Sequence, residues 1–246
     1  MEGKDGSWTY NGTIPAPLLI IEEGDTVLLT LINHLPGTNV SVHVHGVHYD
    51  IFSDGTIHTR SYAPPGGFYV YKWFAAPGTA GTWPFHDHVA LNSEVEGTER
   101  GLYGAVVVRK PGELPPDREF LLVMIGTTFN GKKFPNAPLL VANLGERVRF
   151  HIITLGSEFH TFHLHGHRWI DPGTTKLVDT KTIGPAESYS FEIIAGEGVG
   201  VGDWMYHCHV HQHIRDGMIG FFRVTLPGQE VPSLIHGNHT FPLPHP

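Results

Sequence analysis

Short runs rich in Val, Ile, Phe and Tyr recur along the whole chain, with Gly, Pro, Asn and Asp between them. Thr26–Ile32, Phe68–Phe74, Tyr103–Arg109, Phe120–Ile125, Val148–Ile153, Ser188–Ile194 and Ile219–Leu226 all have this character. β-branched and aromatic side chains suit a pleated, half-buried surface, and turn residues close each run off. No long segment keeps the apolar period of a helix. The pattern predicts an all-β protein built from β-sandwiches.

The pattern also repeats. Asn11-Gly12, Pro17-Leu18-Leu19 and Gly24-Asp25 return as Asn130-Gly131, Pro138-Leu139-Leu140 and Gly145-Glu146. His43-Val44-His45-Gly46 returns as His163-Leu164-His165-Gly166, and Trp83-Pro84-Phe85-His86-Asp87-His88 as Trp204-Met205-Tyr206-His207-Cys208-His209. The offsets run from 119 to 121 residues, so two copies of one sandwich are expected. The segment Lys110–Asp117 has a linker's composition, which divides the chain into residues 1–112 and 113–246.

Composition narrows the field. The chain has 246 residues, 40% hydrophobic and 16% charged, as a globular protein with an ordinary core would. No apolar run is long enough to span a bilayer, so no membrane partner is expected. The segment Met1-Glu2-Gly3-Lys4-Asp5 lacks the apolar core of a signal peptide. A net charge of −8 argues against nucleic acid as a partner. Cys208 is the single cysteine, which excludes an intrachain disulfide. Histidine is abundant: nineteen residues, thirteen of them in four short segments.

Strand geometry sorts these histidines, because alternate side chains point to opposite faces. His207 and His209 share one face, with Cys208 on the other. His163 and His165 share a face, and His160, an odd number of residues away, points oppositely. A Cys–His₂ set with a weak Met ligand is the blue-copper arrangement, and His160, Cys208, His213 and Met218 can form one. The pairs His43/His45, His86/His88, His163/His165 and His207/His209 are left for a second site. They suit three coppers, two with three imidazoles each and one with two. The first half carries Val40 and Asp87 at the places of His160 and Cys208, so it has no thiolate site. Asp87 points away from the ligands on either side of it and is expected to be structural.

These four segments resemble the copper signatures of multicopper oxidases, and nearly the whole chain is similar to bacterial small, two-domain laccases. The resemblance implies two cupredoxin-like Greek-key domains and four coppers per chain. By motif, His160, Cys208, His213 and Met218 resemble type 1 ligands, and His43 and His163 type 2 ligands. His45, His86, His88, His165, His207 and His209 resemble the ligands of a type 3 pair. The resemblance further implies a homotrimer with clusters at subunit interfaces and an exported location, extracellular or periplasmic. Phenols or aromatic amines would be oxidised one electron at a time, and O₂ reduced to water. The electron path would run through Cys208 to His207 and His209. Asp54, in Ser53-Asp54-Gly55-Thr56, is a candidate proton relay, although an Asp-Gly pair is also an ordinary turn.

Rival activities are a Cu(I) or Fe(II) oxidase of the same family, a copper nitrite reductase and an electron-transfer cupredoxin. The nitrite reductases keep their thiolate in the first domain, where this chain has Asp87, and a pure electron carrier has no use for eight further histidines. Trp83 and Trp204 are expected to pack the sandwich cores. His48, His167 and His211 lie beside the motifs, and no role is assigned to them. His34, His58, His151, His236, His239 and His245 are expected at the surface or in packing, and Asn11, Asn39 and Asn238 match the glycosylation pattern.

Overall fold

Alternation of inward and outward side chains generates four main sheets in the computed structural model, which describes residues 6–228. The N-terminal half contributes β1 (Leu19–Glu22), β2 (Thr26–Ile32), β3 (His43–Val44), β4 (His48–Tyr49), β5 (Phe68–Phe74), β6 (Gly81–His86) and β7 (Tyr103–Arg109). The C-terminal half opens with β8 (Arg118–Ile125), β9 (Thr128–Phe129), β10 (Leu139–Asn143), β11 (Arg147–Thr154) and β12 (His160–Leu164). It closes with β13 (Trp169–Ile170), β14 (Leu177–Val178), β15 (Thr180–Ile183), β16 (Ser188–Ile194), β17 (Gly202–Cys208) and β18 (Ile219–Thr225). Helices are short: α1 (Glu96–Glu99) and α2 (His211–Arg215). His236, His239, His245 and Asn238 lie outside the described residues.

The two halves repeat one plan. Order β1-β7-β6-β3 faces β2-β5-β4 in the first, and β10-β18-β17-β12-β15 faces β16-β11-β8-β9 in the second. In each half an early strand pairs in parallel with that half's last strand, β1 with β7 and β10 with β18. The cores lie between the sheets. Val44, Tyr71, Trp73, Phe85 and Val106 fill the first, and Phe150, Phe162, Tyr206 and Phe222 the second.

The halves meet where β6 lies across β11 and β16. Thr82 Oγ1 stands 2.6 Å from His151 Nδ1 and 2.8 Å from Ser190 Oγ, and Ser188 Oγ donates to the Thr82 carbonyl. Tyr103 and Ala105 of β7 pack against Val123, Ile153 and Leu155 in a small apolar cluster that spans the contact. His151, placed by sequence at the surface or in packing, is thus a buried residue of this seam.

Candidate metal centres

The segments His43-Val44-His45 and His163-Leu164-His165 each end at a glycine that turns the chain back over a tryptophan. Gly46 and Gly166 both have φ +71°, a conformation that costs most residues energy. A Cβ on Gly46 would lie 1.9 Å from the Trp83 ring, and one on Gly166 2.7 Å from the Trp204 ring. The two tryptophans, half-buried against their cores, fix where the paired histidines sit.

In the C-terminal half the ladder sets the sorting. His163 lies opposite His207 and Phe162 opposite Cys208 across β12 and β17. Phe162 and Cys208 therefore face the core, while His163 and His207 face the other side. His160 joins Cys208, and α2 brings back His213. Cys208 Sγ is 3.8 Å from His160 Nδ1 and 3.4 Å from His213 Nδ1, all three residues buried. Met218 is fully buried in the same core; its N–H donates to the His213 carbonyl and its carbonyl accepts from Cys208. Burial, with His213 alongside, lowers the His160 pKa to about 4, and burial raises that of the thiol. The imidazole therefore offers a lone pair at neutral pH.

The remaining histidines form two matching sets. His43, His45 and His86 place ring nitrogens within 4.8 Å of one another, as do His163, His165 and His207. His88 and His209 stand beside these sets, 5.2 Å from the His43 ring and 5.2 Å from the His207 ring, but outside the tight groups. Backbone carbonyls orient several rings by accepting from Nδ1: Asp54 for His43, Asp87 for His86, Asp179 for His163 and Cys208 for His207. That tautomer turns the Nε2 lone pairs inward, as metal-binding imidazoles need. His45 Nε2 and His86 Nε2 lie 3.2 Å apart, and His165 Nε2 and His207 Nε2 3.1 Å. Burial is the main reason that His45 falls to about 4 and His86 to about 3. Among the described residues no ring contact joins one set to the other.

Asp87 takes the place of the missing thiolate. Its carboxylate accepts N–H groups of Ser41, Val89 and Ala90; full burial raises its pKa, and those three bonds work against the rise. Asp54 lies beside His43, with Oδ1 3.8 Å from Nδ1 and Oδ2 accepting from the Thr56 hydroxyl at 2.7 Å. His167 is buried as a bracket, with Nδ1 3.0 Å from the His165 carbonyl and Nε2 accepting from Gly196 N–H. His48 and His211 are exposed. One residue that sequence alone did not single out is Glu158, whose carboxylate lies 3.4 Å from His213 Nε2 and is half-exposed. Its position two residues before His160 was the only available signal.

Two multicopper oxidase family models match in series, over residues 1–113 and 113–227. The chain belongs to the multicopper oxidase family. This multicopper oxidase is 37% identical over 237 residues to the "Probable nitrite reductase-hydroxylamine oxidoreductase fusion protein" of Kuenenia stuttgartiensis, with 86% of the chain and 28% of the relative covered. It is 28% identical over 293 residues to hephaestin of Homo sapiens, covering 91% of the chain and 24% of the relative. The chain thus spans about a quarter of the length of the curated relatives it matches. Among solved structures, the Blue Copper Oxidase from Nitrosomonas europaea superposes with a TM-score of 0.74 at 28% identity, over 91% of this chain and 81% of that one. The two sandwiches are accordingly cupredoxin-like, and the family is one of copper-binding oxidoreductases that use O₂ and a reductant.

Proposed function

We propose that this multicopper oxidase is of the laccase type, oxidising phenols and aromatic amines one electron at a time and reducing O₂ to water. The observation that carries the reading is the segment His207-Cys208-His209. Cys208 belongs to the buried three-donor group, and the histidines on either side of it lie with the second set. Peptide bonds alone therefore separate the two kinds of donor.

The donors fit copper, because a thiolate and a thioether with two imidazoles form a set that selects it. His160, Cys208, His213 and Met218 would hold one type 1 copper. His43 and His163 would hold type 2, and His45, His86, His88, His165, His207 and His209 the type 3 pair, four coppers per chain. Bound there, copper would supply one-electron acceptance at the cysteine site and O₂ reduction at the histidine sites. The protein's own groups do the rest. The Glu158 carboxylate, beside the outward edge of His213, would accept a hydrogen bond from a phenol O–H or an amine N–H. Asp54 would hold a proton at Oδ1, steadied by the Thr56 hydroxyl on Oδ2.

Each half carries four of the eight histidines, and the two sets make no ring contact. A second copy would complete each cluster, in a homotrimer. An apolar outer face on β2 and β5 supports assembly: Leu28 is 69% exposed, Ile32 58%, Phe68 66% and Val70 46%. So much exposed apolar surface on one sheet marks an interaction surface. An exported location, extracellular or periplasmic, accompanies this reading.

Glu158 also favours a second reading, because a half-exposed carboxylate beside His213 could bind Fe(II). Oxygen uptake by copper-loaded protein separates the two. One O₂ consumed per four electrons from 2,6-dimethoxyphenol, without peroxide, supports the laccase. Uptake with Fe(II) but not with the phenol supports the metal-ion oxidase. No uptake from either, with a filled blue site, overturns both. An Asp54→Asn variant with full copper content and undiminished turnover would remove Asp54 from the proton path.

A further inference from the structure

His167 lies two residues past His165 and belongs to none of the three donor groups. It is 3% exposed, and both ring nitrogens are engaged. Nδ1 donates to the His165 carbonyl at 3.0 Å, and Nε2 accepts the Gly196 N–H at 3.0 Å. A donor at one nitrogen and an acceptor at the other fix the ring in one tautomer and one orientation. Its flanks are packed as well, edge to face, with ring centroids at 5.6 Å for Trp204 and 5.4 Å for Phe222.

The first half manages without such a ring. The counterpart of His167, 120 residues earlier, is Val47, buried among apolar side chains. There the His45 carbonyl accepts the N–H of Val47 itself, at 3.0 Å. The counterpart of Gly196 is Ala76, whose N–H turns back to the Phe74 carbonyl at 3.0 Å. In the second half one side chain serves both backbone groups and ties the two segments together.

The tie bears on His165 in particular. Backbone carbonyls orient the rings of His43, His86, His163 and His207 through Nδ1, and among the described residues no such bond serves His165. The place of its Nε2, 3.1 Å from His207 Nε2, therefore depends on how firmly its main chain is held. The His165 N–H donates to the Met205 carbonyl at 2.9 Å, and the His165 carbonyl accepts from His167. The first bond reaches β17, which carries His207; the second reaches the glycine loop that precedes β17. That loop is itself anchored. Ala195 N–H donates to the Glu146 carbonyl at 2.8 Å, and Gly200 N–H to the Gly196 carbonyl at 2.7 Å. A Cβ on Gly196 would lie 2.5 Å from Leu144 Cδ1, so the loop sits hard against its neighbours.

We propose that His167 is a positioning residue for His165, holding its carbonyl so that the Nε2 lone pair stays aimed at the space shared with His207. His167 itself is not a ligand. The inference rests on the reading of His165 as a copper ligand. Removing a group that steadies a ligand from outside the metal's own coordination typically costs about 10- to 100-fold in metal affinity.

Three substitutions divide the work of the ring. Asn places an amide nitrogen near the position of Nδ1, and Gln places an amide oxygen near that of Nε2. His167→Asn thus keeps a donor for the His165 carbonyl, His167→Gln keeps an acceptor for Gly196, and His167→Val copies the first half. Each full chain is loaded from buffered copper. The near-ultraviolet absorption of a coupled copper pair and the blue absorption of the Cys208 site are followed in one sample. The Val and Gln chains should need at least about tenfold more free copper to develop the pair's absorption than the original and Asn chains, with blue absorption unchanged. Hydrogen exchange on the copper-free chains supplies a second readout: residues 195–200 should exchange faster in the Val and Asn chains and stay protected in the Gln chain. Equal copper demand in all four chains overturns the proposal. So does a joint loss of both absorptions and of melting temperature in all three variants, Asn included, which would make His167 a packing residue only. Absence of the pair's absorption from the original chain, by contrast, would overturn the oxidase reading itself and the inference with it.

Discussion

At the scale of single residues, Gly46, the glycine that follows His45, is the most constrained position near the sites. Gly46 combines a left-handed backbone with a tryptophan ring where its Cβ would be. Gly46→Ala should therefore cost about 2 kcal/mol or more, from αL strain and displacement of Trp83 together. Denaturant unfolding measures this, and a loss below about 0.5 kcal/mol, the size of a neutral surface change, would refute it. The residues that carry the chemistry were legible because alternation along a strand is a strict rule. Parity alone separated His160 and Cys208 from the paired histidines, and turned Asp87 away from them. Sequence could not supply the partners of Asp87, three N–H groups from two separate segments. Glu158 was invisible for a related reason: its contact depends on how α2 folds back His213.

At the scale of elements, strand boundaries followed the residue types closely; Thr26–Ile32, Phe68–Phe74 and Ser188–Ile194 are strands over those very residues. Strand partners were not legible, because pairing at long sequence separation leaves no local mark. The β8–β11 parallel pair and the seam between the halves belong to this class. Glu119 on β8 lies at that seam, 3.7 Å from His151 Nε2 and 2.7 Å from Arg109. The His151 contact is too long for a hydrogen bond and acts as electrostatic attraction. His151 and Arg109 outweigh burial and hold the Glu119 carboxyl down to about 2, below its ordinary 4.5. A depressed carboxyl pKa adds stability that is complete above about pH 4.5 and is lost as pH falls from there towards 2. Glu119→Gln should lower stability at pH 7 and flatten its decline across that interval. Melting temperature against pH checks both, and an unchanged acid limb would show that the carboxylate contributes nothing to the seam.

At the scale of the whole molecule, the repeat carries most of the explanation. One sandwich plan occurs twice, with a thiolate site kept in one copy and replaced by a self-satisfied carboxylate in the other. The outer face of β2 and β5 is where the proposed trimer can be tested. Phe68→Glu with Val70→Arg places charges on exposed positions and should leave the fold intact while shifting the mass in light scattering from that of the proposed trimer to that of a single chain. An unshifted trimer would mean that another face holds the copies together. The separation of the two histidine sets then acquires a consequence in time. A newly made, solitary chain would be chemically quiet towards oxygen however well it had folded, and dilution would silence a mature one. Oxidase chemistry would begin only when copies meet, so local abundance would act as its switch.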